Sequence, residues 1–527
     1  MNRLLAGACL LPLLAGPALA QSLTVAVQAD VRSINPGVNR DDGTDDFVLQ
    51  MVEGLVGYDE GGTPQPLLAE KVDISADGKT YTFTLRQGVK FHNGDEMTAE
   101  DVAFSFSKER MFGNTQPSTG KTIFVTEKNP LGRESKELPV EIPAVARRFW
   151  PALLGIEIVD KYTVRFVNGS SDVTMEGRIS AVASAIASRR SWDESKSYLD
   201  WARKPVTTGP YKVAEFKPDT YLIYESHDQY WGGLPALKRI RFVEVPEVAS
   251  RINGLLSGEY DLASDIPPDQ IQGIEKNAGY EVLGGTITNH RLTVFDKTHP
   301  QLANPLVRRA FTHAIDRQAI VDSLWAGRTK VPAGLQWDFY ADMLIKDWKV
   351  PEYNPELARK LLKDAGYKGD PIPYRLLNNY YTNQTPTAQV LVEMWNQVGL
   401  NVQIEMKENW QQILEKTPTR AVRDWSNSAS FPDPVSSIVS QHGPNGQQQQ
   451  VGEWTNEEMN TLSNFMETST DRAKRREAFA RMLQICERDD PAYTVLHQNA
   501  VFTAKSKKTK WKAAASFAMD FRAGNWG

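Results

Sequence analysis

The sequence predicts an α/β fold divided into several domains, and three observations carry that expectation. The chain has 527 residues, more than one compact core accommodates, which points to about two to four domains. Short segments of period-two alternation recur through its first half. Beyond about residue 283, helices with clear caps alternate with strands in strand–helix–strand order. The composition is that of a soluble globular protein, 41% hydrophobic and 24% charged. A formal net charge of −5 argues against non-specific nucleic-acid binding, which needs a basic surface.

The first twenty residues form a separate object. Arg3 supplies a positive start, Leu4 to Ala15 an apolar core, and Ala18-Leu19-Ala20 a small-x-small cleavage signal. We read a secretory signal peptide cut between Ala20 and Gln21, so the expected location is periplasmic. The apolar run is too short for a membrane span. Cys9 falls within that run, so only Cys486 remains after cleavage and no internal disulfide is expected. Cys486 shares a helical stripe with Phe479, Met482 and Leu483, the setting of a buried small hydrophobe.

Taken in order, Leu23, Val25 and Val27 alternate as a first strand, and Ser33 to Gly37 read as a turn. Phe47 to Val56 reads as a helix, followed by the Gly-Pro-rich junction Gly61 to Pro66. Thr80 to Leu85 is an alternating strand, Gly88 to Gly94 a short strand ending in a turn, and Thr98 caps a helix. Residues 113–150 read as a loop-like insertion, and Tyr162, Val164 and Phe166 as a strand. Further strands are expected at Tyr221 to Tyr224 and Ile240 to Val245, and a helix at Ala249 to Leu256. Asn304-Pro305 and Asn354-Pro355 each place an N-cap before proline, predicting helices that run to Gly327 and Gly366. Tyr374 to Leu377 and Leu400 to Met406 are strands flanking a helix around Leu391 to Val398. Gln447 to Gln450 reads as a polar loop, Asp471 to Arg488 as a long helix, and Tyr493 to Thr503 as strand.

The residues carry no catalytic signature. No two of the seven histidines have the His-x-x-x-His spacing of a helical zinc site. A Gly-x-Ser-x-Gly elbow and a Gly-x-x-x-x-Gly-Lys phosphate loop are both lacking. The expectation is a protein that is not an enzyme and has no cofactor and no metal. The alternative is a secreted glycosidase, whose two carboxylates need no local motif. Thirteen tryptophans and seventeen tyrosines suit a cleft that stacks on rings. The stretch Trp425 to Pro434 reads as a loop with hydroxyls and an amide between two aromatics, stiffened by prolines on either side of Asp433.

The order of motifs resembles the extracytoplasmic solute-binding proteins of ATP-driven (ABC) importers, in the dipeptide/oligopeptide/nickel-binding group. The resemblance rests on Leu67 to Glu70, on Asp77 through Gly94 to Thr98-Ala99-Glu100-Asp101-Val102, and on Thr208-Gly209-Pro210-Tyr211. Asn304 to Ala310, Ala314 to Arg317 and Ala358 to Tyr367 extend it over essentially the whole mature chain. It implies a two-lobed periplasmic-binding-protein fold with hinge strands and an additional subdomain in the first lobe. The implied first lobe is 21–64, 203–282 and 493–527, the subdomain 65–202 and the second lobe 283–492. A small solute would be enclosed by hinge closure and handed to permease subunits in the inner membrane, by a receptor expected to be a monomer. Chemosensing is the alternative use of the same cleft. The stretch Trp425 to Pro434 would face the ligand, through Trp425, Ser428, Ser430, Phe431 and Asp433. Asn289, His290, Tyr380, Trp410 and Phe47 complete the candidate ligand-binding residues. In peptide-binding members an aspartate that pairs with the peptide's α-ammonium stands where this chain has Ser430. A hydroxyl supplies no charge for a desolvated ammonium. The implied ligand is therefore a modified peptide without a free amine there, an opine-like compound, a sugar conjugate or a metal chelate, unless Asp424 or Asp433 replaces the missing carboxylate.

Overall fold

The computed structural model describes residues 22–28, 34, 47–58, 63–113, 136–139, 141–377, 380–514 and 517–526. The leader and the turn expected at Ser33 to Gly37 therefore lie outside the described residues, except for Ile34.

Two long strands, Tyr280–Phe295 and Tyr493–Ser506, organise the fold. They run antiparallel, with Tyr280 to Thr286 opposite Ser506 to Ala500 and His290 to Val294 opposite Gln498 to Tyr493. The register breaks between Thr286 and His290. A break of this kind bends a strand and raises its twist, so the two paired halves point different ways. Each half is extended by different partners. Val422–Ser428 adds to the His290 half, and Leu262–Ala263 to the Ser506 half. Among the described residues this sheet has ten strands, in the spatial order Val402–Lys407, Ile372–Leu377, Val422–Ser428, Tyr280–Phe295, Tyr493–Ser506, Leu262–Ala263, Ser22–Val27, Arg239–Glu244, Tyr221–Ser226, Tyr211–Lys217. The molecule is thus a two-lobed α/β protein with two strands crossing between the lobes. Near the crossing, Gly284 lets the strands approach closely: a Cβ there would lie 2.1 Å from the Val501 carbonyl oxygen.

A separate antiparallel sheet, in the order Ala69–Ile74, Thr80–Leu85, Thr163–Asn168, Leu153–Asp160, carries its own core. Phe83 meets Phe166 edge-on, and Phe106 packs edge-on against both Phe166 and Trp150. Thr98 starts the helix Ala99–Ser105 with a reciprocal capping box to Asp101.

Several local expectations change. Of the helix expected over Phe47 to Val56, only Phe47 and Val48 are helical, and Val56–Tyr58 pairs instead with Pro64–Pro66. The short strand at Gly88 to Gly94 reduces to one bridge between Lys90 and Glu96. The insertion contains the helix Glu141–Phe149; residues 114–135 lie outside the described part. The helix from Asn304 to Gly327 is two, Pro305–His313 and Arg317–Trp325, because Asp316 takes an extended backbone and caps the second. Gln447–Gln450 is one helical turn, and buried Gln448 donates to the Phe295 and Ala492 carbonyls.

Candidate functional site

Three strands of the second lobe, Ile372–Leu377, Val402–Lys407 and Val422–Ser428, run parallel to one another. In open α/β sheets ligands bind outside the carboxyl ends of such strands. Tyr380 follows the end at Leu377, Trp410 the end at Lys407, and Ser430 the end at Ser428. Residues far apart in sequence thus meet at one edge. The rings form a continuous edge-to-face series: Tyr381 to Tyr380 at 4.7 Å, Tyr380 to Trp410 at 5.1 Å, Trp410 to Trp425 at 5.2 Å. Cations brace both ends, with the Arg291 guanidinium 3.7 Å from the Tyr381 ring centre and Arg423 4.0 Å from that of Trp425.

The expected loop at Trp425 begins as strand. Trp425 to Ser428 lie opposite Leu292 to Asn289, so their side chains alternate. Ser426 and Ser428 share a face, and the Asn289 amide nitrogen donates to both hydroxyls, at 3.2 and 2.7 Å. Tyr381 also donates its hydroxyl to Ser426, at 3.1 Å. Asn499, from the other crossing strand, donates its side-chain amide to Asn289 Oδ1. Asn289 therefore ties this polar wall to the register break between the lobes.

Ser430 is exposed. The carboxylates that stood in for it are engaged. Asp424 is buried and receives Arg291 and, at 2.7 Å, the Gln384 side-chain amide. Asp433 accepts two bonds from Arg475, each 2.8 Å, and caps the turn Pro434–Ser436 through Val435 N at 3.0 Å. Both carboxylates are thus paired with arginines of the fold, with which a ligand's ammonium would have to compete. Three more candidates have buried side chains. Phe431 is buried in the second-lobe core, with its ring pressed on Gly177 of the smaller sheet's unit. His290 stacks on Trp337 at 4.2 Å and holds the Gln336 carbonyl through Nε2 at 2.9 Å; burial pushes its pKa down to about 4, so the ring is neutral. Phe47 belongs to the first-lobe core, edge-on to Phe242 at 4.9 Å.

Tyr381, Ser426, Arg291 and Asn499 join the site without having been singled out in the sequence. For Ser426 the signal was present, since it stands two positions before Ser428 on an alternating strand. Arg291 and Asn499 are placed only by strand register.

Comparison with known proteins agrees with this architecture. The family model for bacterial extracellular solute-binding proteins, family 5 (middle), matches residues 63–448. Heme-binding protein A of Haemophilus influenzae is 25% identical over 496 residues, 89% of this chain and 86% of the relative. The dipeptide binding protein of Pseudoalteromonas sp. SM9913, solved with Met-Leu, superposes with a TM-score of 0.80 at 23% identity, covering 94% of this chain and 98% of that one. The binding protein AgaA from A. tumefacien R10, solved with agropinic acid, gives a TM-score of 0.77 at 22% identity, over 95% and 97% of the two chains.

Proposed function

Because the chain belongs to the family 5 bacterial extracellular solute-binding proteins, we propose that it captures a peptide-like or other polar small solute between its lobes and delivers it to an ABC permease. The observation that carries the site is the convergence of Tyr380, Trp410 and Ser430 beyond the carboxyl ends of three parallel strands. Trp425, Trp410 and Tyr380 supply ring faces, while Ser426, Ser428 and Asn289 supply hydroxyl and amide partners. Relatives are named for dipeptides, heme and glutathione, and one similar structure holds agropinic acid, so relatives of this fold are matched to chemically varied solutes. In this chain Ser430 is neutral, and Asp424 and Asp433 are held by arginines. That chemistry favours a solute with no α-ammonium at this position, such as an opine-like compound, a sugar conjugate or an amine-blocked peptide. We assign the lobes to residues 21–64, 203–282 and 493–527, to the subdomain 65–202, and to 283–492. We also assign cleavage at Ala20/Gln21, a periplasmic location and a monomeric state.

A thermal-shift screen of peptides, opines, oligosaccharides and metal chelates tests this. A solute should raise the melting temperature without being turned over. Ser430→Asp should improve binding of free-amine dipeptides by about tenfold or more, the gain expected of a newly charge-assisted hydrogen bond. Tight binding of plain dipeptides by the unchanged protein would refute the reading of Ser430.

A further inference from the structure

Phe431 and Glu467 do something other than face a solute. The short helix Met175–Ser180, in the unit built on the smaller sheet, lies against the second lobe at these two residues. Gly177 leaves the space that the Phe431 ring fills: a Cβ there would sit 2.5 Å from Phe431 Cγ. One residue on, Arg178 Nη2 reaches Glu467 Oε1 at 3.2 Å, and Val173 N donates to the Glu467 carbonyl oxygen at 3.4 Å. Tyr58, from the short strand Val56–Tyr58, packs on the same second-lobe core.

The two sides are prepared differently. Arg178 is fixed within its own unit by Asp172 at 3.1 Å, the Phe149 carbonyl at 2.8 Å and Thr174 Oγ1 at 3.0 Å. Those three partners all belong to its own unit and none to the second lobe. Glu467 stands in the last turn of Glu457–Thr468, where the helix dipole disfavours an anion, and burial raises its carboxyl pKa. Its carboxylate is well placed there only when Arg178 arrives. Phe431 is likewise held ready: its carbonyl accepts Asp433 N at 2.7 Å and Ser436 Oγ at 2.8 Å.

We propose that Gly177 and Arg178, received by Phe431 and Glu467, form a latch that closes the two lobes on each other and sets solute affinity without touching the solute. It rests on the two-lobed hinge reading and is independent of which solute is bound. Any interaction made only in the closed form shifts the open–closed equilibrium, and through it the apparent affinity for every ligand, by the same factor. The protein therefore samples the closed arrangement without solute.

The test uses the solute-free full chain carrying Cys9→Ser, with spin labels on Asp73→Cys and Thr461→Cys, both exposed, while buried Cys486 stays unlabelled. The parent should show a short interlobe distance population. Gly177→Ala places a methyl against Phe431 yet favours the helix that carries it. Glu467→Ala removes the second-lobe anion while Arg178 keeps Asp172. Both variants should retain the parent's melting temperature and lose about threefold or more of the short-distance population. A parent with no short population, or one that persists in both variants, would overturn the latch. A latch that behaves as stated beside a screen that finds no solute would sink the transport reading alone.

Discussion

At the scale of the residue, buried charge decides which candidates stay available to a ligand. The Asp433–Arg475 pair is almost wholly buried, with side chains 11% and 4% exposed. Removing one member of such a pair strands the other, so Arg475→Ala should destabilise the fold by about 3 kcal/mol, read by urea denaturation. A loss under about 1 kcal/mol would show that Asp433 finds solvent or another partner. His290 gives a pH signature. Its folded pKa of about 4 lies below the unfolded value near 6.5, so the neutral ring's contribution is complete above about pH 6.5 and is lost as pH falls toward 4. His290→Gln should flatten the fall of melting temperature between about pH 6.5 and 4.5; an unchanged slope would contradict the assignment. The sequence made Asp433, Phe431 and His290 visible as chemistry but not their partners. Arg475, Gly177 and Trp337 lie 42, 254 and 47 positions away, and no local pattern joins them.

At the scale of the element, legibility followed locality. Asn354 before Pro355 announces its helix, and its side chain caps it by accepting Leu357 N at 2.9 Å. The break between Pro305–His313 and Arg317–Trp325 was missed because apolar residues continue at helical spacing through Ala314 and Ile315. The cue was Asp316, which accepts Ala319 N at 3.0 Å. Asp316→Ala should cost about 1 kcal/mol in thermal or chemical unfolding, the usual price of a lost N-cap; no measurable cost would mean that packing alone stops the first helix. The start of the stretch Trp425 to Pro434 reads as loop because Ser and Asn are weak strand formers, yet pairing with Asn289 to Leu292 carries them. The crossing strands showed in the sequence only as alternation. Their length, register break and partners come from contacts made across most of the chain.

At the scale of the whole molecule, the expected two-lobed architecture holds, and solute should act on all of it at once. A ligand held by both lobes binds the folded form alone, so at a hundredfold excess over Kd it should add about 2.7 kcal/mol to unfolding, seen as one shifted transition in calorimetry. Two separate transitions, only one of them shifted, would mean that the lobes unfold independently. The central sheet has a further consequence. Tyr280 is paired with Ser506, and Leu262 with Lys505, so the middle of the sheet is supplied by the end of the chain. During synthesis the growing polypeptide cannot complete this sheet until Tyr493–Ser506 is made, and such distant pairing is slow. The slow step of folding is therefore the arrival of Tyr493–Ser506 between strands made far earlier, and unpaired sheet edges stay open until it is complete.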